Sequence, residues 1–274
     1  MNTLVKISVR ISLLLTLILC MGGIPARADE APGPNLLANP GFEPPWSKRY
    51  DPCKNTVLEE VQVPDGWEPY YICQSPTDAA NINRTPEYRM VAARDYSYRV
   101  HSGATALRYF NFWALNRSAG VYQVVNNITP GSILRFSAWV QLWTSDVDAN
   151  PPNSQEKPGN LEARLCIVPD SGQLDFNNPA IMCSEWARPW DVYQQLSVQA
   201  TATASQVVVA LNTRAEFPVK HNDVMADDAE LVVIGQAAPA TPTVPARAQP
   251  ANTTRTTAPT TRHVSSPRHA VIAQ

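Results

Sequence analysis

The sequence predicts an all-β fold, a jelly-roll β-sandwich, set between a cleaved leader and a disordered tail. Three observations carry this. The apolar residues of the middle region recur with period two rather than 3.6. Turn signals punctuate them at short intervals: Asn39-Pro40-Gly41, Pro64-Asp65-Gly66, Ser102-Gly103, Pro130-Gly131 and Asp170-Ser171-Gly172. No long stretch has helical periodicity.

The leader comes first. Lys6 and Arg10 precede an apolar run over 11–24, and Ala26-Arg27-Ala28 has the small residues of a signal-peptidase site, with cleavage expected after Ala28. The run is shorter than the ~20 residues of a spanning helix. Leu19 before Cys20 argues against a lipid-modified terminus, where a small residue is wanted. The clearest strand is 133–143. Leu134, Phe136, Ala138, Val140 and Leu142 share one face, which must be the core. Ile133, Arg135, Ser137, Trp139, Gln141 and Trp143 share the other. Further strands are expected over 106–112, 120–126, 161–168, 193–200, 206–212 and 229–234. In 161–168, Leu161, Ala163, Leu165 and Ile167 face one way; in 193–200, Leu196 and Val198 point inward. Residues 44–99 and 145–158 read as long irregular loops. Residues 236–274 contain Ala, Pro, Thr and Arg with no Asp or Glu, a composition that cannot bury enough surface to fold.

Of 22 Lys and Arg, the leader takes three and the tail four. Residues 29–235 therefore keep 15 basic against all 24 acidic groups, a net of −9. That balance argues against nucleic acid as partner and suits neutral ligands or calcium. Four cysteines follow the leader: Cys53, Cys73, Cys166 and Cys183. They allow three connectivities. Local pairing, Cys53 with Cys73 and Cys166 with Cys183, is expected, each pair closing a loop between strands. No C-x-x-C spacing supports zinc. Disulfides and a leader imply a secreted, extracellular protein with no stable membrane insertion, expected to act as a monomer.

The order of short motifs resembles the galactose-binding-like jelly rolls, and among them the carbohydrate-binding modules attached to bacterial cellulases and xylanases. These motifs are N-L-L-A-N-P-G-F-E (35–43), P-D-G-W (64–67), V-H-S-G-A-T-A-L-R (100–108), I-T-P-G-S-I-L-R-F-S-A-W-V (128–140) and D-D-A-E-L-V (227–232). The resemblance implies non-catalytic recognition of a polysaccharide or glycan. It also implies a structural calcium ion. By position, Glu43 and Asp227 or Asp228 would give carboxylates, and Gly41 and Ala104 backbone oxygens.

Sugar recognition needs flat rings for stacking and polar groups for hydroxyls. The second face of strand 133–143 has both, in Trp139, Trp143, Gln141 and Arg135. Tyr109, Asn111 and Trp113, with Arg164 and Glu162, are the expected contributions of neighbouring strands. Trp46, Trp67, Trp186 and Trp190 are assigned to packing against loops. No H-E-x-x-H or G-x-S-x-G motif occurs, and no strand carries alternating carboxylates, which argues against an enzyme. An adhesion or scaffold domain binding protein or cell-wall polymer stays open as the alternative.

Overall fold

The computed structural model describes residues 33–51 and 53–237. The expected leader (1–28) and all but the first two residues of the expected tail (236–274) lie outside the described residues. Among the described residues, twelve strands form two sheets. They are β1 (Trp46–Asp51), β2 (Thr56–Pro64), β3 (Glu68–Tyr71), β4 (Glu87–Ala92), β5 (Thr105–Asn111), β6 (Ala119–Asn126), β7 (Ser132–Ser145), β8 (Glu162–Val168), β9 (Met182–Cys183), β10 (Gln194–Thr201), β11 (Gln206–Arg214) and β12 (His221–Gln236). One sheet has seven strands in the order β1-β2-β4-β5-β12-β7-β10, and the other five in the order β3-β6-β11-β8-β9. The fold is an all-β sandwich of jelly-roll type. Among the described residues, a 3-10 turn, Ser97–Arg99, interrupts the strands.

The core lies between the sheets, and alternation puts it there. Leu134, Phe136, Ala138, Val140 and Leu142 of β7 all enter it, as do Leu161 and the inward residues of β8, Ala163, Leu165 and Ile167. Leu196 and Val198 of β10 join them. A fully buried side chain such as Phe136 contributes roughly 1.5–3 kcal/mol. Phe42 and Trp67 stack at 4.8 Å and close one end. Both expected disulfides form, Cys53–Cys73 and Cys166–Cys183.

Two expectations are corrected. Residues 44–99 are not irregular: β1 to β4 lie there. Their alternation is hidden by a register shift between Lys48 and Arg49, and β2 meets β4 in a short parallel pairing at Val61 and Tyr88. The last strand begins at His221, not at 229. A bulge between Asp227 and Glu230, with Asp228 at φ 44°, breaks its periodicity in the middle.

Candidate functional site

The stripe expected to bind exists, but it is roofed. Arg135, Trp139, Gln141 and Trp143 lie on the outer face of the seven-stranded sheet, opposite the core residues of β7. Residues 96–101 and 190–193 fold over it. Trp139 stacks on His101 at 4.0 Å, and Trp143 stacks on His221 at 3.7 Å. The Gln141 amide donates to the Asp191 carbonyl (2.8 Å), and the Tyr193 hydroxyl to the Arg99 carbonyl (2.8 Å). Gln141 and Trp143 are consequently 2% and 4% exposed, out of reach of an extended polymer. Arg135 is paired with Glu230.

The neighbouring strands do not contribute as expected. Tyr109 points into the core, stacks on Tyr88 at 5.1 Å and shares a hydrogen bond with Thr213. Asn111 is also buried and donates to the Arg84 carbonyl. The outward residues of β5 are Arg108 and Phe110. Both parities of this strand mix aromatic and polar residues, so alternation alone does not orient it. Trp113 lies past the end of β5, exposed and edge-on to Phe112. Arg164 and Glu162 belong to β8, on the outer face of the other sheet, across the sandwich from Trp139.

That five-stranded face is where rings and polar groups gather. Because Val207, Val209 and Leu211 of β11 face the core, Asn212 and Arg214 face outward. They pair across to Arg164 and Glu162 of β8. On β6, Val121 and Val125 go inward and Tyr122 outward. Tyr70 of β3 sits beside Gly120, and its hydroxyl donates to the Leu211 carbonyl (3.1 Å). A β-carbon at Gly120 would lie 1.8 Å from that carbonyl oxygen and 2.9 Å from the Tyr70 hydroxyl, so the arrangement requires glycine. The segment between β8 and β10 then folds back along the face. Phe176 reaches Tyr70 at 5.2 Å. Trp186 lies 4.4 Å from the Arg164 guanidinium and 4.1 Å from that of Arg214. The Cys166–Cys183 bridge and the mutual backbone bonds of Ala163 and Ala187 pin this segment to β8.

The electrostatics are specific. Glu162 bridges Arg188 and Arg214, each at 2.8 Å. Partial burial alone would raise its carboxyl, but the hydrogen-bonded guanidiniums of Arg214 and Arg188 outweigh it and hold the group below its usual range. Burial pushes the Tyr70 hydroxyl well up, so it remains an O–H donor. The Arg164 Nε is buried with no partner. A cleft of ≈ 350 Å³ opens at this end, between Glu162, Arg188, Arg214 and Glu216. A larger one, ≈ 630 Å³, flanks β4 and β5; eight of its twelve lining residues are polar or charged, and two are rings, Phe110 and Phe112, where the smaller cleft has none. Trp186 is therefore a face residue and not loop packing. The signal for this face was present in Q-V-V-V-A-L-N-T-R, where Asn212 and Arg214 break an apolar run at alternate positions.

Of the expected calcium residues, Glu43, Asp227 and Asp228 meet one loop, 101–105, which contains Ala104. Glu43 Oε1 accepts the amides of Ala104 and Thr105, and Oε2 accepts the Thr105 hydroxyl. Asp227 Oδ2 accepts the amides of His101 and Ser102, and Oδ1 that of Asp228. Asp228 bonds His101 and Ser102. Glu43 Oε2 and Asp227 Oδ1 each keep a lone pair, and hard carboxylate oxygens suit calcium. The Ala104 carbonyl already accepts the Ala93 amide. Among the described residues, no three His, Cys, Asp or Glu side chains converge to hold a metal.

No family model and no curated protein matches the chain. Among solved structures, it is similar to TmCBM61 in complex with beta-1,4-galactotriose, at 13% identity and a TM-score of 0.43, over 73% of this chain and 99% of that one. It is similar to the CBM22-1 xylan-binding domain from Paenibacillus barcinonensis Xyn10C, at 11% identity and a TM-score of 0.37, over 63% and 88%. It is also similar to the C-terminal family 22 carbohydrate binding module of Clostridium thermocellum Xyn10B, at 14% and 0.36, over 64% and 90%. All three are carbohydrate-binding modules.

Proposed function

We propose that the protein binds a glycan on the outer face of its five-stranded sheet and does not cleave it. One observation carries the reading. Tyr70, Tyr122, Phe176 and Trp186 lie on one outward face with Arg164, Arg214 and Glu162. Rings stack on the apolar faces of pyranoses, and the arginine and carboxylate groups donate to and accept from hydroxyls. Glu162 is suited to binding rather than to acid catalysis. A general acid needs a raised pKa, and two arginines hold this carboxyl low. Export is supported by the two disulfides. Among the described residues, no helix is long and apolar enough to cross a membrane. Calcium belongs to the same proposal, with Glu43 and Asp227 as ligands that would brace loop 101–105.

The test is affinity electrophoresis of the full chain in gels containing plant or microbial polysaccharides. Trp186→Ala and Arg164→Ala should abolish retardation, and Trp139→Ala on the far face should not. A folded protein that no polysaccharide retards sinks the reading in favour of adhesion to protein. Release of reducing ends would overturn the non-catalytic part.

A further inference from the structure

The roof over the seven-stranded sheet is not sealed. A cleft of ≈ 340 Å³ opens between the 3-10 turn, β7 and the loop near Asp148, lined by Tyr96, Tyr98, Arg99, Trp143, Asp148 and Asn150. Two of its walls carry polar groups with nothing to bond. Arg99 and Trp143 are 6% and 4% exposed, yet the Arg99 Nε and the Trp143 Nε1 have no acceptor. Buried N–H groups are rarely left so. On the same sheet, the buried Gln141 Oε1 and Asp223 Oδ1 have no donor.

The charges are also unbalanced. Asp223 alone faces two guanidiniums, Arg108 at 2.6 Å and Arg99 at 4.0 Å. Asp148, at the rim, is taken by Lys220 and by His221. One positive charge is therefore left over next to the cleft, among the rings of Tyr96, Tyr98 and Trp143. Idle donors beside excess positive charge call for an anionic oxygen group. The rings call for an apolar face.

We propose that this cleft is a second binding site, separate from the five-stranded face, for a single carboxylate-bearing sugar unit such as a hexuronic acid. Its carboxylate takes the Arg99 and Trp143 N–H groups, which are covered in this structure and which a small turn of the two side chains opens to the cleft. The site does not depend on the polymer reading of the other face.

Calorimetric titration of the full chain with D-glucuronate, D-glucose and acetate tests it. Glucuronate should bind at least about tenfold tighter than either of the others, since glucose lacks the acid and acetate the ring. Trp143→Phe, which keeps the ring and removes the N–H, should weaken glucuronate about tenfold, and so should Arg99→Lys. Trp186→Ala should leave it unchanged. Equal binding of glucose, or of acetate, overturns the proposal in the wild-type protein alone, whatever the variants do. Loss in Trp186→Ala with retention in Trp143→Phe would move the binding to the five-stranded face and also overturn it.

Discussion

Replacing Trp143 and Trp186 separately by alanine should separate stability from binding. Trp143 is 4% exposed, stacked on His221 and lying under Arg99. A buried tryptophan removes about 150–250 Å² from water. At ~25 cal/mol per Å² that is roughly 4–6 kcal/mol as an upper bound. Core Trp→Ala changes in general cost about 3–5 kcal/mol. For a domain of this size each kcal/mol moves Tm by about 2–4 °C, so Trp143→Ala should lower it by roughly 6–20 °C. Trp186 is only half-buried, on the outer face, and Trp186→Ala should lower Tm by no more than a few degrees while weakening polysaccharide binding at least about tenfold. Thermal melts followed by near-ultraviolet circular dichroism, with affinity gels run on the same samples, read both quantities. A Trp143→Ala protein melting within 2 °C (about 0.5–1 kcal/mol) of wild type would refute the roofed-face assignment. An equal large loss in Trp186→Ala would put that residue in the core.

Three further outcomes follow from the same geometry. Gly120→Ala should destabilise strongly, because a β-carbon there would sit 1.8 Å from the Leu211 carbonyl oxygen; soluble expression with an unchanged melt would contradict it. The Glu162 carboxyl is held below its ordinary 4.5, so its stabilisation is present above that value and is lost as pH falls through the folded-state value. Acid unfolding curves of Glu162→Gln should lack that part of the decline below pH 4.5, and superimposable curves would remove the Arg188–Glu162–Arg214 bridge as a source of stability. Calcium should raise Tm over a chelator control in wild type but not in Asp227→Asn, and identical melts in both conditions would discard the metal.

Legibility from sequence differed strand by strand. In β7 one parity is wholly apolar and the other is not, so its orientation could be read directly and all five expected residues are in the core. In β5, Leu107, Tyr109 and Asn111 compete with Arg108, Phe110 and Phe112, and nothing local decides between the sets. Sheet membership is harder still. Alternation separates inside from outside but does not say which of two sheets a strand joins. β3 and β4 are neighbours in sequence and lie in different sheets. Hence Trp139 and Arg164, both correctly read as outward, ended on opposite sides of the molecule. The roof over Trp143 was hidden for a related reason: His101 and His221 stand far apart in sequence, without motif context, and only folding brings each onto a tryptophan.

On the proposed binding role of the five-stranded face, the Cys166–Cys183 bridge has a consequence for the entropy of recognition. It ties the segment that carries Trp186 to β8 before any ligand arrives, and Arg164 and Arg214 hold the ring in place. A ring fixed in advance has little rotamer freedom left to surrender on complex formation, a loss that otherwise runs to about 0.5–1.5 kcal/mol per immobilised side chain. The covalent staple therefore acts on affinity from a distance: opening it would loosen the platform and speed ligand release, even where the two sheets stay folded.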